Sequence, residues 1–132
     1  MKATMSFLVA GLLLWAVPLL AHHSFTAEYD STKSIHVTGT VTKVEWTNPH
    51  ARFYVDVKDE SGRVINWNFE LGSPLVLTRL GWKRDSLKIG DQITVEGYPA
   101  KDGSKMANAR TATLADGRKV FAGSSAGGPT TQ

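Results

Sequence analysis

The chain predicts an all-β domain, a small barrel of five to six strands interrupted once by a short helix, and three observations predict it. Segments that alternate apolar and polar residues recur between turn-forming clusters. A helix start, Gly72-Ser73-Pro74, falls between the third and fourth of these segments, and a phase slip in the long first segment bends it from one face to another. With 132 residues, 42% of them hydrophobic, there is room for one domain with a modest core.

Met1 to Ala21 reads as a secretory leader, with Lys2 as its positive start, an apolar run from Phe7 to Val17, and Pro18 just before Ala21. The mature chain is then expected to begin at His22 and to reside in the periplasm or outside the cell. Leu19 is larger than the small residue usual at its position, so a retained anchor is the alternative. No second apolar run is long enough to span a bilayer, and no membrane role is expected after cleavage. Cysteine is absent, which excludes disulfides, thiolate catalysis, thiolate metal sites and a lipidated cysteine.

Residues 22–34 form a polar N-terminal arm with Phe25 and Tyr29 in it, expected to be extended or irregular, its aromatics pinning it to the barrel. Ile35 to Trp46 is the long first strand, with Gly39 beside its phase slip. The chain turns at Asn48-Pro49, and Ala51 to Asp59 returns with Phe53, Val55 and Val57 on one face. Asp59-Glu60-Ser61-Gly62 is a hairpin turn, and Val64 to Leu71 completes a meander with Ile65, Trp67 and Phe69 inward.

Ser73 caps the helix and Pro74 occupies its first position, with Leu75, Val76, Leu77 and Leu80 as the apolar face and Gly81 as the stop. Gln92 to Tyr98 and Met106 to Leu114 are the fourth and fifth strands, Gly97 marking a bend in the fourth. Arg118 to Ala122 is a short edge strand, and Gly123 to Gln132 reads as a disordered tail. Three meander strands, a helix and two more strands, led by a bent strand, are the order of the five-stranded Greek-key OB-fold. The barrel domain is therefore placed at residues 35–122. Other small barrels share much of this order, and the helix between strands three and four is the most discriminating feature.

The formal charge is +3, or +2 without Lys2, and its basic and acidic residues are interspersed. That pattern supports neither a nucleic-acid partner nor a membrane surface. No serine sits in a strained nucleophile turn and no pair of acids has informative spacing, so the chain reads as a binding or accessory module rather than an enzyme.

The candidate site is the stretch from Lys43 to Arg52, where one strand ends and the next begins. Cleavage after Ala21 would leave His22 with an α-amino and an imidazole nitrogen, a chelating pair suited to Cu(II). His22, His23 and His50 are accordingly the candidate copper ligands, His50 because it sits on the turn; His36 alternates with Ile35 and Val37 and faces solvent. The competing reading is a solvated terminal pair and a histidine that fills a corner.

Trp67, between Asn66 and Asn68, reads as core, whereas Trp46 and Trp82 lie at element ends and are placed to line a cleft mouth. Trp46, Asn48, Arg52, Asn66, Asn68 and Glu70 are the candidate ligand-binding residues. Asn108 and Arg110 join the polar group if strands three and five are neighbours; a solvated face with cross-strand pairs is the alternative. The candidate partners are a small ligand, a metal ion, or an exported protein docking on a sheet edge or on the face around Asn66 and Asn68.

The segments HHSFTAEYD at 22–30, GTVTKVEWTNPHA at 39–51, NWNFELGSP at 66–74, GWKRDSLKIGD at 81–91 and DGRKVFAG at 116–123 together resemble a family of small exported bacterial proteins. It is classed as domain of unknown function six-one-five-two. The resemblance implies an exported, mostly β protein and carries over no activity or catalytic residue. Arg52 stands where such proteins often have an aromatic or aliphatic residue, which makes this corner more basic.

Overall fold

The computed structural model describes residues 25–124. Its elements are β1 (Ile35–Glu45), β2 (Arg52–Lys58), β3 (Val64–Glu70), α1 (Pro74–Arg79), β4 (Gln92–Pro99), β5 (Met106–Thr113) and β6 (Lys119–Phe121). The sheet runs β3-β2-β1-β4-β5-β6, and a parallel pairing of β3 with β5 closes the first five strands into a barrel. With α1 between β3 and β4, the fold is the OB-like barrel that the element order predicted.

Alternation explains which side chains fill it. Phe53 and Val55 of β2 and Phe69 of β3 are fully buried, while Arg52, Tyr54 and Asp56 stand out of phase with them. Phe53 and Phe69 stack at 5.2 Å between ring centroids, and Trp67 stacks on Phe69 at 5.9 Å. The β2–β3 turn is held by Asp59, whose carboxylate accepts hydrogen bonds from the backbone of Ser61 and Arg63.

β1 serves both halves of the barrel. Ile35 to Thr40 pair with β4, and Thr40 to Glu45 pair with β2. The register slips between Val41 and Lys43, beyond the glycine to which the pattern assigned it. Gly39 acts in another way. A Cβ there would stand 2.2 Å from the Asp56 carbonyl oxygen, so only glycine lets β1 cross so close to β2. Gly97 does the same in β4, where a Cβ would meet the Asn108 carbonyl at 2.3 Å.

Two expectations change. Within the arm, expected to be extended or irregular, residues 25–28 form one helical turn, closed by Tyr29 N–H donating to the Phe25 carbonyl at 2.8 Å. That spacing brings Phe25 and Tyr29 to the same side, where Phe25 meets Tyr98 edge-on at 5.9 Å. Tyr29 then bridges to Ala100, and both aromatics are buried. In α1, Leu77 alone is buried, whereas Leu75, Val76 and Leu80 are exposed. A helix of six residues has room to drive only one side chain into the barrel. Of the residues read as tail, Gly123 packs on Gly72 and Val76 and Ser124 is buried; those after Ser124 lie outside the described residues, as does the leader.

Candidate functional site: a strapped wall and an apolar corner

On the outer wall of the barrel, where β2, β3 and β5 run side by side, Arg52 lies opposite Glu70 and Glu70 opposite Asn108. Side chains on that face would normally be solvated, but the arm lies across it. Tyr29, Glu70 and Asn108 are respectively 1%, 7% and 2% exposed. Glu70 Oε2 accepts from the Tyr29 hydroxyl at 3.1 Å and from Arg52 Nη2 at 2.6 Å, and Oε1 accepts from Asn108 Nδ2 at 3.5 Å. Arg52 Nη1 also donates to Asn68 Oδ1 at 3.2 Å. Asn108 Oδ1 has no hydrogen-bond partner among the described residues.

A buried carboxylate is stable only with such partners. The guanidinium and the phenol satisfy it, and in return they hold the arm down. Burial, and then the Glu70 charge and hydrogen bond, push the Tyr29 hydroxyl far above the ordinary phenol range, so it stays a donor. Both carboxylate oxygens of Glu70 accept from neighbours on the wall or the arm, so the cluster works as a staple.

Arg52 also borders the second feature. The chain from Trp46 to Ala51 turns through a cis Asn48–Pro49 peptide and is tied to the end of β3: Ala51 N–H donates to the Gly72 carbonyl and Leu71 N–H to the Ala51 carbonyl. His50 Nδ1 sits 3.1 Å from the Leu71 carbonyl oxygen, with its ring exposed. Beneath the turn lies a cleft floored by Val44, Ala51, Phe53, Leu71, Trp82 and Leu87, with half-buried Trp46 among its walls. Its free volume is only about 10 Å³, room for about one water. Arg52, Lys83 and Arg84 complete the lining.

Arg52, Asn68 and Glu70, named from sequence, therefore converge on one wall, and Asn108 joins them through the β3–β5 pairing. Arg110 is exposed. Asn66 is elsewhere, donating to Asp56 at 2.7 Å and Thr42 at 3.2 Å. Trp46 and Trp82 do meet at one cleft, Trp82 buried with its indole N–H on the Phe121 carbonyl. Asn48 is exposed on the turn, and His22 and His23 lie outside the described residues. Among the described residues, no three histidine, aspartate or glutamate side chains cluster as a metal site. The sequence reading missed Tyr29 as the hydrogen-bonding member of the wall and Lys83 and Arg84 at the cleft; the aromatics in a polar arm were the one signal available for the former.

The profile described as "Family of unknown function (DUF6152)" matches residues 10–109. No curated protein matches the chain. Among solved structures, the crystal structure of the mitochondrial single-stranded DNA binding protein Rim1 from S. cerevisiae is similar, with a TM-score of 0.49 and 11% identity over 62% of this chain and 92% of that one.

Proposed function

This chain belongs to DUF6152, a family of unknown function, and we propose that it is an exported periplasmic binding module that holds a copper ion at the Trp46–Arg52 corner. The observation that carries this reading is the contact of His50 Nδ1 with the Leu71 carbonyl oxygen at 3.1 Å. A carbonyl only accepts, so in the neutral imidazole Nδ1 bears the proton and the lone pair is on Nε2, in a residue exposed to solvent. Metal-binding imidazoles are typically oriented in this way, by a second-nitrogen hydrogen bond to a carbonyl.

One imidazole is too few for a tight site. Removal of the leader at Ala21 supplies the rest as the α-amino and imidazole nitrogens of His22, with His23 next to it. Phe25 and Tyr29, which follow this pair closely in sequence, are buried against the barrel and anchor the arm there. The test is protein matured by its own export machinery, weighed intact and titrated with Cu(II) under competition while its electron paramagnetic resonance is recorded. A chain starting at His22 with one nitrogen-rich copper, weakened at least about tenfold by His50→Ala, is the expected result. A different terminus, or an affinity unchanged in His50→Ala, sinks the reading.

A second reading, docking of an exported protein without metal, rests on the exposed apolar side chains of α1, Leu75 at 60% and Val76 at 40%. Its test is a stoichiometric partner retained in the presence of chelator and lost on Leu75→Asp. Retention by the variant would remove α1 as the docking element.

A further inference from the structure

We infer that the corner cleft is a binding site for a small organic anion with a flat apolar body, such as an aromatic sulfonate or carboxylate. His50 is not part of the cleft lining, so this site stands apart from the proposed copper ligands.

The floor is one chemical type. Leu71, Trp82 and Leu87 are buried and apolar, and the half-buried Trp46 offers an indole surface at the wall. A flat ring against an indole face gains both apolar burial and stacking. The polar part of the lining is one sign. Arg52, Lys83 and Arg84 line the cleft and no carboxylate does. Asp85, next in sequence, lies with Asp91 and Asp116 in a neighbouring groove, which shares Lys83 with the cleft.

Charge balance distinguishes the three cations. Arg52 is held by Glu70 at 2.6 Å, so its charge is largely answered within the wall. Lys83 and Arg84 are exposed, and among the described residues neither side chain has an ion pair or hydrogen bond to a side chain. Two cations without an ion pair beside an apolar floor, Arg84 at the cleft and Lys83 between it and the acidic groove, attract an anion whose apolar part enters and whose charge stays at the surface.

The cleft is shut at its present volume, so entry requires Trp46 or the segment that follows Gly81 to move aside. That segment is attached through Trp82 and Leu87, the residues between them being exposed or half-buried. Its Lys83 N–H donates to the Ser86 hydroxyl at 2.8 Å and its Ser86 N–H to the Lys83 carbonyl at 3.0 Å, so the segment is a small self-closed turn that bears both cations.

The test uses the metal-free full chain and two fluorescent probes with similar apolar bodies, 8-anilinonaphthalene-1-sulfonate and the neutral N-phenyl-1-naphthylamine. The sulfonate is expected to bind one per chain, with a dissociation constant on the order of 10–100 µM, and the neutral probe at least about tenfold more weakly. Lys83→Gln with Arg84→Gln, both at exposed positions, should weaken the sulfonate at least about tenfold while near-ultraviolet circular dichroism stays unchanged. Leu75→Ser, which trims the exposed apolar surface of α1, should leave it unaffected. Non-saturable binding, equal affinity for the two probes, insensitivity to the double variant, or loss on Leu75→Ser would each overturn the assignment.

Discussion

The Tyr29 hydroxyl donates a 3.1 Å hydrogen bond to Glu70 Oε2, joining the arm to the end of β3 across forty-one residues of sequence. Both partners are buried, so the bond is protected from competing water. Tyr29→Phe keeps the ring and removes the bond, and it should cost about 1–2 kcal/mol in urea unfolding. Tyr29→Ala also empties the ring's place against Phe25 and should cost about 3–5 kcal/mol. Equal losses in the two variants would mean that the hydrogen bond contributes most of the anchoring and the ring little.

Alkaline pH tests the same group another way. Burial and then Glu70 raise the Tyr29 hydroxyl in the folded protein, so the fold retains a proton that the unfolded chain releases near pH 10. The stability it contributes is whole below about pH 10 and declines as pH rises further, by at most about 1.4 kcal/mol per unit. Urea unfolding at about pH 9 and about pH 11 should show a steeper decline for the wild type than for Tyr29→Phe. Parallel declines would refute the assignment.

Glu70 answers two donors at once. Glu70→Ala leaves the half-buried Arg52 and the buried Tyr29 hydroxyl without their acceptor, and should cost about 3 kcal/mol or more. Glu70→Gln keeps one acceptor oxygen, and if the Asn108 amide turns over, the new amide can donate to Asn108 Oδ1, which has no partner among the described residues. Its expected loss is smaller, about 1 kcal/mol. Thermal melts of the two variants give the order directly, and a Gln variant no better than Ala would show that charge rather than hydrogen bonding holds the wall.

Gly39 and Gly97 are expected to tolerate nothing larger. An alanine Cβ would stand 2.2 Å from the Asp56 carbonyl oxygen at the first and 2.3 Å from that of Asn108 at the second. Relief means spreading β1 from β2 or β4 from β5, at about 1–3 kcal/mol or more each. Gly62 is the control for proximity: it sits in an open turn where an added methyl would find nothing within 4 Å, and its strain arises only from a φ of 83°. Denaturant titrations of the three alanine variants give the comparison, and losses at Gly39 and Gly97 no larger than at Gly62 would show that the strands part freely.

Within α1, Leu77→Ala should cost about 2–5 kcal/mol because the side chain is fully buried. Leu75→Ala, 60% exposed, should change stability by no more than about 0.5 kcal/mol. Comparable losses in denaturant titrations would show that Leu75 is covered in solution.

Most of the scaffold was legible in particular residues. Alternation from Phe53 to Val57 and from Ile65 to Phe69 marks β2 and β3, and Ser73-Pro74 marks the start of α1, where the Ser73 hydroxyl accepts from Val76 N–H. The amphipathic reading of α1 failed because apolar spacing says which residues share a helix face, not whether a neighbour lies opposite it. The arm's helical turn was hidden because no periodicity can show itself over four residues. At the site, Arg52, Asn68 and Glu70 were identifiable as outward and polar, but Asn66, with the same pattern, lies at the far end of β3.

Where strands begin, turn and end, and which side chains of each strand share a face, follow from the chain's local pattern, because the two-residue pleat, the turn residues and the helix cap dictate them. That an outward face would be buried emerged only on folding. Tyr29, Arg52, Glu70 and Asn108 come from four segments, brought together by the parallel β3–β5 closure and the docking of the arm. Local pattern fixes a side chain's direction relative to its own strand, whereas what covers it depends on contacts distant in the chain.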